Sequence, residues 1–162
     1  GKKLNVDEIG LRTLEIGGLF HDIGKIGIPD SILLKDSKLT DEEYDQIKKH
    51  PSIGSHILSN ASIFQDMIPI VKYHHERYDG KGYPEGLSGE NIPYLARIAA
   101  VVDAFDAMTS RRTYRDSIPL ENVKSEIERC SGTQFDPKIA SAFLDILNNH
   151  YEEIEKIQKQ YE

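Results

Sequence analysis

Residues 93–110 read PYLARIAAVVDAFDAMTS. Apolar side chains recur through this stretch at the three- and four-residue spacing of a helix that faces a core. Pro93 suits its first position, where the missing N–H and the fixed φ cost nothing. One residue does not fit the apolar face. Asp103 stands among side chains that must be buried, and an unpaired buried carboxylate costs several kcal/mol. It therefore needs a cation or a dense set of donors; a metal ion would serve, and so would Arg97 or Arg112.

Outward from this helix, the same periodicity continues. Two further helices are expected at about 119–130 and 136–147, with a charged helical tail from His150 to Glu162. Upstream, residues 77–93 hold Gly80, Gly82, Pro84, Gly86, Gly89 and Pro93, which marks an irregular loop. A helix is expected from about Ile63 to Glu76, and another from about Pro51 to Asn60. Thr40 and Glu43 form a capping box that starts a helix running toward Lys49, and Pro51 imposes a break at His50. Pro29 opens a short turn with a brief helix at Ser31 to Leu34. Val6, Ile9, Leu14, Ile16, Leu19 and Phe20 give a first helix. In it Gly17 and Gly18 each cost about 1 kcal/mol relative to alanine, so close helix packing is the expected compensation. No stretch reads as a sheet, and no repeat or low-complexity segment occurs. The fold class is all-α, a helical bundle of about seven to nine helices.

Composition bounds the function. The chain has 162 residues, with 38% hydrophobic and 29% charged, enough to bury one core without disulfides. The apolar runs fall far short of the ~20 residues that cross a bilayer, and no signal peptide is visible. A single cysteine, Cys130, suits a reducing compartment, so a cytoplasmic location is expected. The net charge of −7 argues against polymeric nucleic acid, which takes a broad basic surface. A small phosphate ligand stays open, because bound metal ions supply positive charge locally.

The chemistry-bearing residues come as doublets. His21-Asp22 ends the first helix. Neighbouring side chains on a helix diverge by about 100°, so one pair can serve two adjacent ions. The plain alternative is a capping aspartate beside a surface histidine. His74-His75 precede the glycine-rich loop, where packing explains a histidine pair poorly. His50 sits at the proline break, a fixed corner; by itself that is a weak signal, and a surface histidine is the more ordinary reading. Asp106, one turn after Asp103, reads as a structural ion-pair or capping residue; His56 and His150 carry no assigned role. Gly80, Gly82, Tyr83 and Pro84 could let backbone approach a ligand closely. Lys25 lies near the first doublet, and Arg111, Arg112 and Arg115 follow the Asp103 helix. Arginines so grouped suit phosphate or guanine recognition, or are simply solvated.

Taken in order, HDIGKIGIP (21–29), KKHP (48–51), HHERYDGKGYPEGL (74–87) and VVDAFDAMTSRRTYR (101–115) strongly resemble the HD-GYP family of metal-dependent phosphohydrolases. The resemblance runs from about Leu14 to Leu147. It implies an all-helical catalytic domain over 1–147 with a helical tail at 148–162, and hydrolysis of cyclic di-GMP to pGpG and/or GMP. It also implies two or three divalent transition-metal ions, iron or manganese first, zinc or nickel otherwise. By motif, His21 and Asp22 are ligands, with Asp22 bridging; Asp103 joins the first ion, and His50, His74 and His75 bind the second. Lys25 matches a phosphate-contacting lysine with a catalytic role, Gly82, Tyr83 and Pro84 the substrate loop, and Arg112 and Arg115 ligand-binding arginines. Two cations sharing a water would lower its pKa and set a bridging hydroxide in line with phosphorus.

Family members carry a further ligand, a histidine and sometimes a glutamate, on a helix upstream of the doublet. No histidine precedes His21, and Glu8 and Glu15 match no motif, so the chain is read as starting after that helix. An upstream sensor or receiver domain is the expected partner, and the tail could pack against a second copy. The competing readings are an HD phosphohydrolase for another nucleotide and a regulatory module that binds without turnover.

Overall fold

The computed structural model describes residues 1–110 and 118–158. Among them are nine α-helices and no strand: α1 (Glu8–Phe20), α2 (Asp30–Leu33), α3 (Asp41–Ile47), α4 (His50–Ser59), α5 (Ile68–Tyr73), α6 (Tyr94–Thr109), α7 (Leu120–Arg129), α8 (Pro137–Asn149) and α9 (Tyr151–Gln158). The all-α expectation holds.

The start signals act as the sequence predicts. Asp7 caps α1 by accepting from the Gly10 amide. Both halves of the Thr40–Glu43 capping box form, and Pro51 lies in the first turn of α4. One expectation fails. The stretch from Ile63 to Glu76 is not one helix but a 3₁₀ turn at Ser62–Met67 followed by α5, which has Pro69 in its first turn. Proline lacks the N–H that a continuous helix would need there, and its fixed φ opens a new helix instead.

Two apolar cores result. One joins α6, α7 and α8 through Val101, Phe105, Val123, Ile127, Ile139 and Leu147. The other gathers Leu58, Met67 and Val71, with Phe20, Ile23, Phe64 and Ile68 around them. Helix α5 touches α1, α4 and α6, and its Ile70 and Val71 are fully buried. Helix α5 thus joins the second core, through Val71, to the α6 side of the first. Helix α9 folds back, with Tyr151 and Ile154 on the first core and the Gln158 amide donating to Thr109 Oγ1 at 2.8 Å.

The two glycines of α1 part company. A Cβ on Gly17 would meet Ile70 Cδ1 at 2.7 Å, so the expected close packing is present there. Gly18 has nothing within 4 Å of the same position, so the packing expectation fails for it. Gly18→Ala is accordingly expected to raise stability by about 0.5–1 kcal/mol, and Gly17→Ala to lower it, in paired thermal melts.

Candidate metal centre

Four chain segments deliver the chemistry-bearing residues to one place. His21 terminates α1, and its Nδ1 lies 2.6 Å from the Gly18 carbonyl. Asp22 then leads into a 3₁₀ turn, Ile23–Gly27. That turn lies so close to α4 that a Cβ on Gly24 would sit 1.9 Å from the His50 carbonyl oxygen. The contact brings Asp22 to His50: Oδ1 is 3.2 Å from His50 Nε2. His50 is buried and turns its Nδ1 to the Ile47 carbonyl at 2.8 Å. His74 terminates α5, also buried, with Nδ1 2.9 Å from the Val71 carbonyl.

The pattern repeats at three histidines, and it fixes their chemistry. In the neutral ring, Nδ1–H donated to a main-chain carbonyl leaves Nε2 as the lone-pair nitrogen, the arrangement usual behind metal-ligating imidazoles. Those Nε2 atoms converge. His50 Nε2 and His74 Nε2 are 3.4 Å apart. His21 Nε2 lies 3.4 Å from Asp22 Oδ2 and 3.5 Å from Asp103 Oδ1. At these separations either a proton on Nε2 or a metal ion joins imidazole to carboxylate, and a set of imidazoles and carboxylates so gathered fits divalent metal ions.

Ligand atoms of Asp22, His50, His74 and His75 all lie within 4.8 Å of one another. His21 and Asp103 meet at the other side of Asp22, which is thus common to both groups. The His75 ring lies 4.1 Å from that of His74 and 5.0 Å from that of His50, centroid to centroid. Lys25 Nζ reaches Asp22 Oδ2 at 2.5 Å.

Protonation follows the same geometry. Burial opposes charge on Asp22, but hydrogen bonds from His21, His50 and Lys25 hold its carboxyl far below the usual range. Burial also opposes charge on His21, and its bonds to Asp103 and Asp22 outweigh this, raising it to about 10. His75 is pushed down to about 4 by burial, with His50 and Lys25 adding to the effect. His74 is lowered by burial and then by the neighbouring His75 and His21. Both are therefore neutral at physiological pH, the form that binds metal.

The glycine-rich loop closes over this cluster. A Cβ on Gly82 would lie 2.3 Å from the Arg77 amide nitrogen and 2.6 Å from the His75 carbonyl oxygen, so only glycine lets the loop fold back this far. The Tyr83 amide donates to the His75 carbonyl at 3.3 Å, and the Tyr83 ring lies 4.9 Å from the His75 ring. Glu76, which the sequence reading passed over, anchors the loop. It is buried, and Oε1 accepts from the amides of Glu85 and Gly86 at 2.8 and 3.1 Å. An acidic residue between a histidine pair and a glycine-rich loop is the signal that could have found it. His74, His75, Tyr83 and Asp103 line one cavity of about 420 Å³, together with Tyr44.

Other residues go elsewhere. Arg97, an alternative partner for Asp103, pairs with Asp136 at 2.5 Å. Asp106 accepts from the Ser110 hydroxyl at 3.1 Å. His150 lies 3.5 Å from Glu153. Arg111, Arg112 and Arg115 lie outside the described residues.

A family model described as HD domain matches residues 1–139. The chain belongs to the HD domain family. With that, the HD-GYP reading of the four sequence blocks is borne out. Among curated relatives of this HD domain is a cyclic di-GMP phosphodiesterase of Thermotoga maritima, 46% identical over 147 residues, covering 90% of this chain and 40% of the relative. A cyclic di-GMP phosphodiesterase response regulator of Xanthomonas campestris pv. campestris is 43% identical over 145 residues, 88% of this chain and 38% of its own length. A 3'3'-cGAMP-specific phosphodiesterase of Vibrio cholerae is 38% identical over 135 residues, 82% of this chain and 25% of its own length. The chain thus spans about two fifths of the length of the first two. A crystal structure of a cyclic GMP-AMP specific phosphodiesterase of V. cholerae shares the fold, with TM-score 0.71 and 20% identity over 93% of this chain and 41% of that one.

Proposed function

We propose that this HD domain hydrolyses a cyclic dinucleotide, cyclic di-GMP first, to pGpG and/or GMP. One observation carries the reading: Asp22 is shared between the His21–Asp103 side and the His50–His74–His75 side of a single cluster. A carboxylate so placed suits two adjacent ions. The names of the relatives point to a cyclic dinucleotide.

His21, Asp22 and Asp103 would hold one divalent ion and Asp22, His50, His74 and His75 another, with iron or manganese expected before zinc or nickel. Bound there, the ions would supply Lewis acidity, activating water and offsetting phosphoryl charge. The protein's own groups do the rest. Lys25, held at 2.5 Å from Asp22, presents an ammonium for a phosphoryl oxygen. Tyr83 lines the cavity, and Gly82 and Pro84 on either side of it complete the loop assigned to positioning the ligand. Arg112 and Arg115 complete the set by motif. No serine or cysteine nucleophile is needed.

The catalytic domain is assigned to 1–147 and the tail to 148–162. An upstream sensor or receiver domain fits the part-length matches, one of which is named a response regulator. Among the described residues no helix is long and apolar enough to cross a membrane; we assign the domain to the cytoplasm, which the single free cysteine suits.

The test pairs elemental analysis of protein purified without chelator with hydrolysis of cyclic di-GMP and 3'3'-cGAMP. Two or more transition-metal ions per chain and linear product are expected. Cyclic GMP-AMP turned over in preference would move the substrate assignment. Binding without product would leave a regulatory module instead.

A further inference from the structure

We propose that Tyr44 is a stacking platform for one purine base of the substrate, a role that rests on the cyclic dinucleotide reading above. Tyr44 belongs to α3, a helix whose start is fixed by the Thr40–Glu43 capping box. The Glu43 carboxylate also takes the Lys35 ammonium at 2.7 and 2.6 Å, so this short helix is held at its first turn from two directions. Tyr44 follows directly.

Tyr44 is 49% exposed and joins neither apolar core. It nonetheless lines the cavity that His74, His75, Tyr83 and Asp103 share. Packing does not account for an aromatic side chain there. Of the other aromatics lining that cavity among the described residues, Tyr83 is already set against His75, and Phe135 is buried in the core. Tyr44 is the exposed one whose ring contact is with a cation, Lys48 Nζ at 5.2 Å from its centroid.

The chemistry of the ligand divides in the same way. Its phosphates carry charge and suit the metal cluster and Lys25, whereas its bases offer flat π-faces that hydrate poorly. An exposed tyrosine ring at the wall of the cavity gives such a face what the cluster cannot. Base–aromatic stacking tolerates sequence, because every purine has a π-face. Both substrate types named among the relatives carry only purines.

The test uses the metal-loaded chain with Tyr44→Ala and Tyr44→Phe. Tyr44→Ala is expected to raise KM for cyclic di-GMP about tenfold while kcat stays within about twofold. Tyr44→Phe, which keeps the ring, should match wild type. Metal content and melting temperature should be unchanged in both, since the ring touches neither ligands nor core. Wild-type turnover with an unchanged KM in Tyr44→Ala would overturn the stacking role alone. Equal damage in both variants would move the effect to the hydroxyl and overturn it too. A wild-type chain inactive on every cyclic purine dinucleotide would overturn the function and this inference with it.

Discussion

Asp22→Ala is expected to leave a folded helical protein that binds less than one transition-metal ion per chain and has lost phosphodiesterase activity. The reason is topological. Asp22 is the carboxylate that reaches both sides of the cluster, 3.2 Å from His50 Nε2 and 3.4 Å from His21 Nε2. Without it the carboxylate that lies between His21 and His50 is gone, and the ligands that remain lack the group two ions would share. Loss of that charge stabilisation is worth several kcal/mol in the barrier, so turnover should fall by about 10³-fold or more. The fold should survive, because the Asp22 side chain is 36% exposed and belongs to neither core. Elemental analysis, far-UV circular dichroism and a product assay on the same sample separate these effects. Full metal content with normal turnover would be incompatible with a shared carboxylate.

Gly24→Ala is expected to do comparable damage without removing a ligand side chain. The added methyl would sit 1.9 Å from the His50 carbonyl oxygen, 2.5 Å from the Gly54 nitrogen and 2.8 Å from the His50 carbonyl carbon. All three are main-chain atoms, so no side chain can swing aside. The turn carrying Asp22 must back away from α4, and the Asp22–His50 approach opens with it. Overpacking of this kind costs about 3 kcal/mol or more, which for a chain of this size lowers the melting temperature by roughly 10 °C. Metal content should fall as well. Gly27→Ala is the matched control, since its methyl would meet only the Ile53 side chain, at 3.0 Å and beyond. A Gly24→Ala protein with wild-type melting temperature and metal content would show that the turn and α4 can separate freely.

These two positions mark what a sequence reveals and what it does not. Helix starts were legible wherever a local signal sets them: the capping box at Thr40, the prolines at 51 and 93. The division of 62–73 into a 3₁₀ turn and α5 was not, because the apolar periodicity of that stretch outweighed the signal from Pro69. At the site, residue types announced the histidine and aspartate doublets. Which carboxylate faces which imidazole depends on how α1, α4, α5 and α6 pack, and no spacing encodes that. Asp103 had two candidate arginines in the sequence; packing sends Arg97 to Asp136 instead. Glu76 and Tyr44 escaped for a related reason. A glutamate or a tyrosine is ordinary anywhere on a helix surface, and only tertiary placement gives it a task.

The histidines that turn Nδ1 to main-chain carbonyls also share an electrostatic setting. His21 and His74 cap the C-terminal ends of α1 and α5, and His50 takes the Ile47 carbonyl at the end of α3. A helix C-terminus carries the equivalent of about half a negative charge. Three such ends converge on a cluster that already holds Asp22 and Asp103. A divalent cation approaching it meets an attractive potential, and a phosphodiester approaching the metal-free protein meets a repulsive one. The directions in which three helices end thus favour a cation at this cluster over an anion.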